Sequence, residues 1–163
     1  MPILRFCAWL ESTHVAAAIR ESTWLFPTIE TIHVLSILVV VGSITMFDLR
    51  LLNLAYRDRS VTELYDEVMP WARISFICAA IAGSLMFTSS ATKYYHNFSF
   101  RMKILTLLLA GVNIAIFEFW TYRGVAKWNR ETHVPLAAKL AGGLSLVLWI
   151  FVVAFGRWTG FTK

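Results

Sequence analysis

Four stretches of the chain, about residues 27–54, 70–92, 99–123 and 135–157, are long and apolar enough to cross a bilayer. A crossing takes roughly 20 residues of helix. In lipid no water satisfies the backbone, so an open chain can cross only as helices or a closed barrel. Apolar runs of this length, without a period-2 alternation, read as helices. The expected fold is therefore all-α, a four-helix transmembrane bundle occupying 1–163 as a single integral membrane domain. A chain of 163 residues then has almost no room for an extramembrane domain. The composition agrees, with 58% hydrophobic residues against about half in soluble domains.

All four prolines read as starts. Pro2 opens the chain, and Pro27, Pro70 and Pro135 each precede an apolar run. Proline suits a first helical turn, whose N–H groups have no partner within the helix. The third run follows His96-Asn97-Phe98-Ser99, where Asn97 or Ser99 can cap. Ahead of these spans, Ile3, Phe6, Cys7, Leu10, Thr13, His14 and Ala17 recur at helical spacing, with Arg5, Glu11 and Ser12 off the stripe. This predicts an interfacial amphipathic helix over 3–20, lying on the membrane. Charges within that segment argue against a cleavable signal.

The net charge of +5 does not point to nucleic acid. No basic run or nucleic-acid motif is present, and membrane proteins carry Lys and Arg at helix ends. The bilayer is the first partner, with other membrane subunits or a homo-oligomer as further candidates. Cys7 and Cys78 lie apart and outside any CxxC, as small apolar side chains. Trp9, Trp24, Tyr94, Tyr95 and Trp158 fall at one face of the predicted bundle; Tyr56, Trp71, Trp120, Tyr122 and Trp128 fall at the other. The first loop carries Arg57 and Arg59, and the third carries Arg123, Lys127 and Arg130. The opposite side has Arg5, Arg20, Lys93, Arg157 and Lys163. The shorter, denser basic loops place residues 55–69 and 124–134 in the cytoplasm. Both termini are then periplasmic in a bacterial inner membrane. Ala79 and Gly83, and Ala138, Gly142 and Gly143, are spaced for close helix approach in lipid.

Ionisable residues inside such spans are costly and turn inward. They form two layers. Toward the termini are Glu30, His33 and Lys103, with His14 and His96 on the same side. Toward the other face are Asp48, Arg50, Arg73, Glu118 and Arg123, with His133 in a loop. The second layer reads as a structural charge network in which acids and bases neutralise one another. The first is the candidate site. His33 stands roughly 9 Å into the first span, and neutral imidazole is a natural axial ligand for haem iron. Its other ring nitrogen needs a partner to fix the tautomer, and Glu30 lies one turn away. His14, His96 or Lys103 would complete or gate the site. A buried pair of Glu30 with His33 that merely glues helices is the plainer alternative. Copper is a further one, although Met46, Met69, Met86 and Met102 are scattered. Glycine-rich phosphate loops, catalytic-triad spacings and HExxH are absent from the sequence.

The segments "AIRESTWLFPTIETIHVLSI", "FDLRLL", "NFSFRMKILTLLLAGVN" and "LSLVLWIFVVAFGR" resemble a family of small uncharacterised bacterial four-helix membrane proteins. A more distant resemblance is to HemJ-type protoporphyrinogen oxidases, small four-helix proteins that bind haem b. It is carried by His33 in "IHVLSILVVVGSITMFDLRL", with Arg50-Leu51 following, and by Lys103 in "FRMKILTLLL". The HemJ-type tryptophan before that lysine is absent here. The membrane domain of CopD-type copper-resistance proteins is similar in layout. These resemblances imply haem b held by His33 with Lys103 nearby, and a role in electron transfer or tetrapyrrole-linked redox chemistry. The expectations from other classes are a non-catalytic accessory subunit of a larger membrane complex, and a copper-handling or small transport protein.

Overall fold

A computed structural model of the chain describes residues 2–130 and 133–161; Lys163, counted above among the basic residues, lies outside them. The described residues form helices and connecting turns. The N-terminal segment forms two helices, α1 (Pro2–Glu11) and α2 (His14–Glu21). The predicted single helix over 3–20 breaks because Thr13 caps α2, its side chain accepting the Ala16 N–H at 3.3 Å. α3 (Leu25–Leu51) is the first long helix and α4 (Val61–Ser89) the second. The short α5 (Ala91–His96) leads into α6 (Phe98–Ile116). α6 continues through a π-helical turn, Phe117–Thr121, and a 3-10 turn, Tyr122–Lys127, before α7 (Leu136–Thr159). Four helical segments are long and apolar enough to cross a membrane: Leu25–Leu51, Val61–Ser89, Phe98–Lys127 and Leu136–Thr159. Leucines and isoleucines such as Leu38, Leu108 and Ile150 stand exposed along them, as a lipid-facing surface requires.

The largest boundary difference is in α4. Pro70 does not open that helix but lies inside it. The start is at Ser60, whose hydroxyl accepts the Glu63 N–H while the Glu63 carboxylate accepts the Ser60 N–H, each at 3.2 Å. This capping box outweighs the backbone bond that Pro70 cannot donate. Asn97 caps α6 as expected, accepting the Phe100 N–H at 3.0 Å.

α3 packs on α4, α6 packs on α7, and α3 meets α7, whereas α4 and α6 hardly touch. At the α3–α7 seam the backbones come close. A Cβ on Gly142 would lie 3.3 Å from the Asp48 carbonyl oxygen and 3.2 Å from Leu51 Cβ. The opposite seam, between α4 and α6, is a cleft. α1 and α2 close one end of the molecule, packing against α3, α4 and α5. There the Arg20 guanidinium donates to the Ser89 and Glu11 carbonyls, and the Glu11 carboxylate accepts the Thr92 N–H. The Asn97 amide donates to the Thr159 carbonyl, bringing the end of α7 to the same end of the bundle. At the other end, a buried core gathers Phe47, Leu51, Val61, Leu64, Phe117 and Trp128. Trp128 thus belongs to the interior, not to the aromatic belt predicted for it, because the loop after the 3-10 turn folds back over the start of α4. Val61 N–H donates to the Asn129 carbonyl, fixing that fold-back.

Candidate functional site

Two chambers lie along the cleft. The upper one, toward the termini, has a volume of about 540 Å³; the lower one has about 440 Å³. Val40, Phe76, Leu107 and Trp149 line both and form the waist between them.

His33 and Lys103 both line the upper chamber, among Ile37, Phe87, Phe100 and Ile104. Phe6 and Leu10 of α1 complete its wall, so the N-terminal helix is part of the site. The imidazole lies against the backbone of α4. His33 Nδ1 is 2.8 Å from the Ala79 carbonyl oxygen. A carbonyl can only accept, so Nδ1 carries a proton, and in the neutral imidazole Nε2 keeps its lone pair. Gly83 makes this possible: a Cβ there would stand 2.9 Å from His33 Cε1 and 3.3 Å from Nδ1. The Ala79 and Gly83 spacing, read in sequence as a helix contact, is therefore a seat for one side chain. Lys103 runs beside Gly156 of α7, where a Cβ would lie 3.6 Å from Nζ. Among the described residues its ammonium has no hydrogen-bond or salt-bridge partner.

The other expected residues of this layer are not brought to the chamber. Glu30 is exposed, and the group that fixes the His33 ring is the Ala79 carbonyl. The Glu30 charge acts on both His33 and Tyr94, and the Tyr94 phenol is pushed up from its ordinary value first by burial and then by that charge. His14, at the start of α2, is exposed. His96 is exposed and packs edge-on against Tyr95. No group of three or more His, Cys, Asp or Glu side chains among the described residues is placed to hold a bare metal ion.

The lower chamber carries the second polar layer, but not as one network. Arg73 Nη2 donates to Glu118 Oε1 and to the Tyr65 hydroxyl, each at 2.7 Å, and Tyr65 donates to the same carboxylate oxygen. This cluster ties α4 to the π turn, where the widened backbone carries Phe117 and Glu118 into the cleft. Arg50 points elsewhere. Nearly fully buried, it donates to the Arg59 carbonyl at 2.7 Å and approaches the Asn129 carbonyl at 3.5 Å, pinning the two loops at that end. Arg123 is exposed and forms no salt bridge among the described residues. Asp48 is 4% exposed and lines the chamber with Ser145, and its Oδ2 has no hydrogen-bond partner among the described residues. The shared face of Asn113 and Glu118 on the third span was legible in the sequence, whereas Tyr65 and Ser145 were not found as neighbours of these charges. Tyr65 lay in what was read as a loop, and a start at the Ser60-x-x-Glu63 capping box would have placed it on α4.

No curated protein and no solved structure matches the chain. A family model matches residues 6–162, and the chain accordingly belongs to a family of unknown function (DUF6644).

Proposed function

We propose that the chain is a b-type haem protein of the bacterial inner membrane, in which His33 would hold the haem iron in the upper chamber, with both termini on the periplasmic side. The observation that carries this reading is the seat of His33. A ring whose Nδ1–H is committed to the Ala79 carbonyl, against a glycine, offers Nε2 as a fixed ligand atom. The chamber suits an apolar macrocycle, because its lining is mostly aliphatic and aromatic. The Lys103 ammonium in the same chamber suits an anionic carboxylate of such a group. These are also the two residues on which the HemJ-type resemblance rests. Bound there, haem would supply a one-electron iron couple.

The chain's own part is to hold and orient. Ala79 and Gly83 fix the plane of the His33 ring, Lys103 would bind an acidic group of the haem, and Phe6 and Leu10 screen the chamber at the end that carries the termini. The orientation rests on the basic loops after α3 and after the third span. The test is an absorption spectrum of the purified protein, oxidised and then reduced with dithionite, after expression with ample haem. A Soret band that sharpens into α and β bands on reduction, and is lost in His33→Ala, is the expected result. A featureless spectrum would overturn the reading.

A further inference from the structure

We propose that the lower chamber is a binding site for a membrane-dissolved hydroquinone, entered sideways between α4 and α6 and held by a hydroxyl donated to Asp48. The first observation is the carboxylate itself. Asp48 is 4% exposed, faces a chamber of about 440 Å³, and has Oδ2 without a partner among the described residues. A buried carboxylate oxygen in that state is costly unless a donor reaches it.

The second observation is that two further acceptors line the chamber. Asn113 gives one of its two amide N–H groups to the Ala141 carbonyl at 2.9 Å, and its oxygen stands as an acceptor. Glu118 takes both its bonds on Oε1, leaving Oε2 as an acceptor. An occupant with hydroxyls on separate sides meets these acceptors; a molecule with acceptors alone leaves Asp48 Oδ2 without a donor. The third observation is the wall. Phe47 meets Tyr65 and Phe117 edge to face, with centroids 5.4 and 5.7 Å apart, and Trp149 lies at the waist. Such a lining favours a flat ring. The fourth is the opening. Phe76, Ile77 and Ile114 line the chamber and are also exposed on the lipid-facing surface, so an apolar molecule reaches it without leaving the bilayer. An aromatic ring with two hydroxyls and an apolar tail satisfies all four.

The site does not rest on the haem reading, since the two chambers share only wall residues. The test uses the whole chain in phosphatidylcholine nanodiscs, titrated anaerobically with decyl-ubiquinol and, in parallel, with its di-O-methyl ether. The expected result is saturable binding of the quinol, weakened about tenfold or more for the ether, which has lost both donors. Asp48→Leu replaces the half-satisfied carboxylate, whose Oδ2 has no partner, by an apolar side chain of similar size. It should fold at least as well as the parent, read by thermal unfolding, and bind the quinol about tenfold or more weakly. Absence of saturable quinol binding overturns the proposal. So does an ether that binds as well as the quinol, or an Asp48→Leu protein that binds it as well as the parent. The ether comparison needs no variant, so a misfolded Asp48→Leu protein would leave the proposal open to refutation.

Discussion

The two seams of the bundle use glycine for opposite purposes. At the α3–α7 seam Gly142 lets two backbones meet, with Asp48 and Leu51 filling the space a side chain would take. Across the molecule α4 and α6 stay apart, and Gly83 on the α4 wall of that cleft makes room for an imidazole reaching over from α3. Gly111 lines the same cleft with nothing within 4 Å of the place its Cβ would occupy. One seam holds the fold and the other holds space. In lipid, where helices gain little from apolar burial alone, close packing supplies much of the association. A bundle can therefore leave one seam open if another is tight.

Three substitutions probe this contrast. Gly142→Ala should have the largest effect on stability, a loss of about 1–3 kcal/mol from overpacking against a backbone that cannot move aside. Unfolding in mixed micelles by titration with a denaturing detergent would measure it. A neutral result would mean that the α3–α7 seam is not the tight one. Gly83→Ala should cost less stability, about 1 kcal/mol for the lost bond to the Ala79 carbonyl, because the imidazole can swing into the chamber. Its distinctive effect is on the site: haem retention should fall about tenfold, read from the Soret absorbance per protein. If the spectrum is unchanged while the fold weakens, Gly83 is a packing residue and the seat has been misassigned. Gly111→Ala should be the mildest. It adds a methyl group to open space and gains up to about 1 kcal/mol of helix propensity. A clear loss of stability in the same titration would show that α4 and α6 meet more closely than the cleft implies.

Much of this architecture could be read from the chain. The four spans follow from run length and apolarity, which act locally and leave their mark in sequence. Their ends were harder. Pro70 signals a start by its chemistry, yet Ser60 and Glu63 satisfy each other's backbone donors ahead of Pro70, and the helix begins there. The π turn at Phe117–Thr121 has no local signature; it coincides with the contacts of Glu118 to Tyr65 and Arg73 on another helix. The site divides in the same way. His33 and Lys103 were visible because ionisable groups are rare in apolar runs. The partner of His33 was not, because a backbone carbonyl on α4 looks like any other carbonyl in sequence. The acids and bases of the lower layer were expected to neutralise one another. Depth along a helix was legible for Asp48, Arg50 and Glu118, but the direction each side chain takes was set by neighbours on other helices.

The wall that α1 contributes to the upper chamber has a kinetic consequence. Phe6 and Leu10 belong to a ten-residue helix, joined to α5 through Glu11 and Thr92. Peeling so short a segment away is a local opening whose free energy lies well below that of unfolding the bundle. Exchange of whatever occupies that chamber through its terminal end can therefore run at the rate of this small detachment. Residence time there would then be set by a few contacts around Glu11 and Arg20, and a bundle made more stable overall would not hold its occupant any longer.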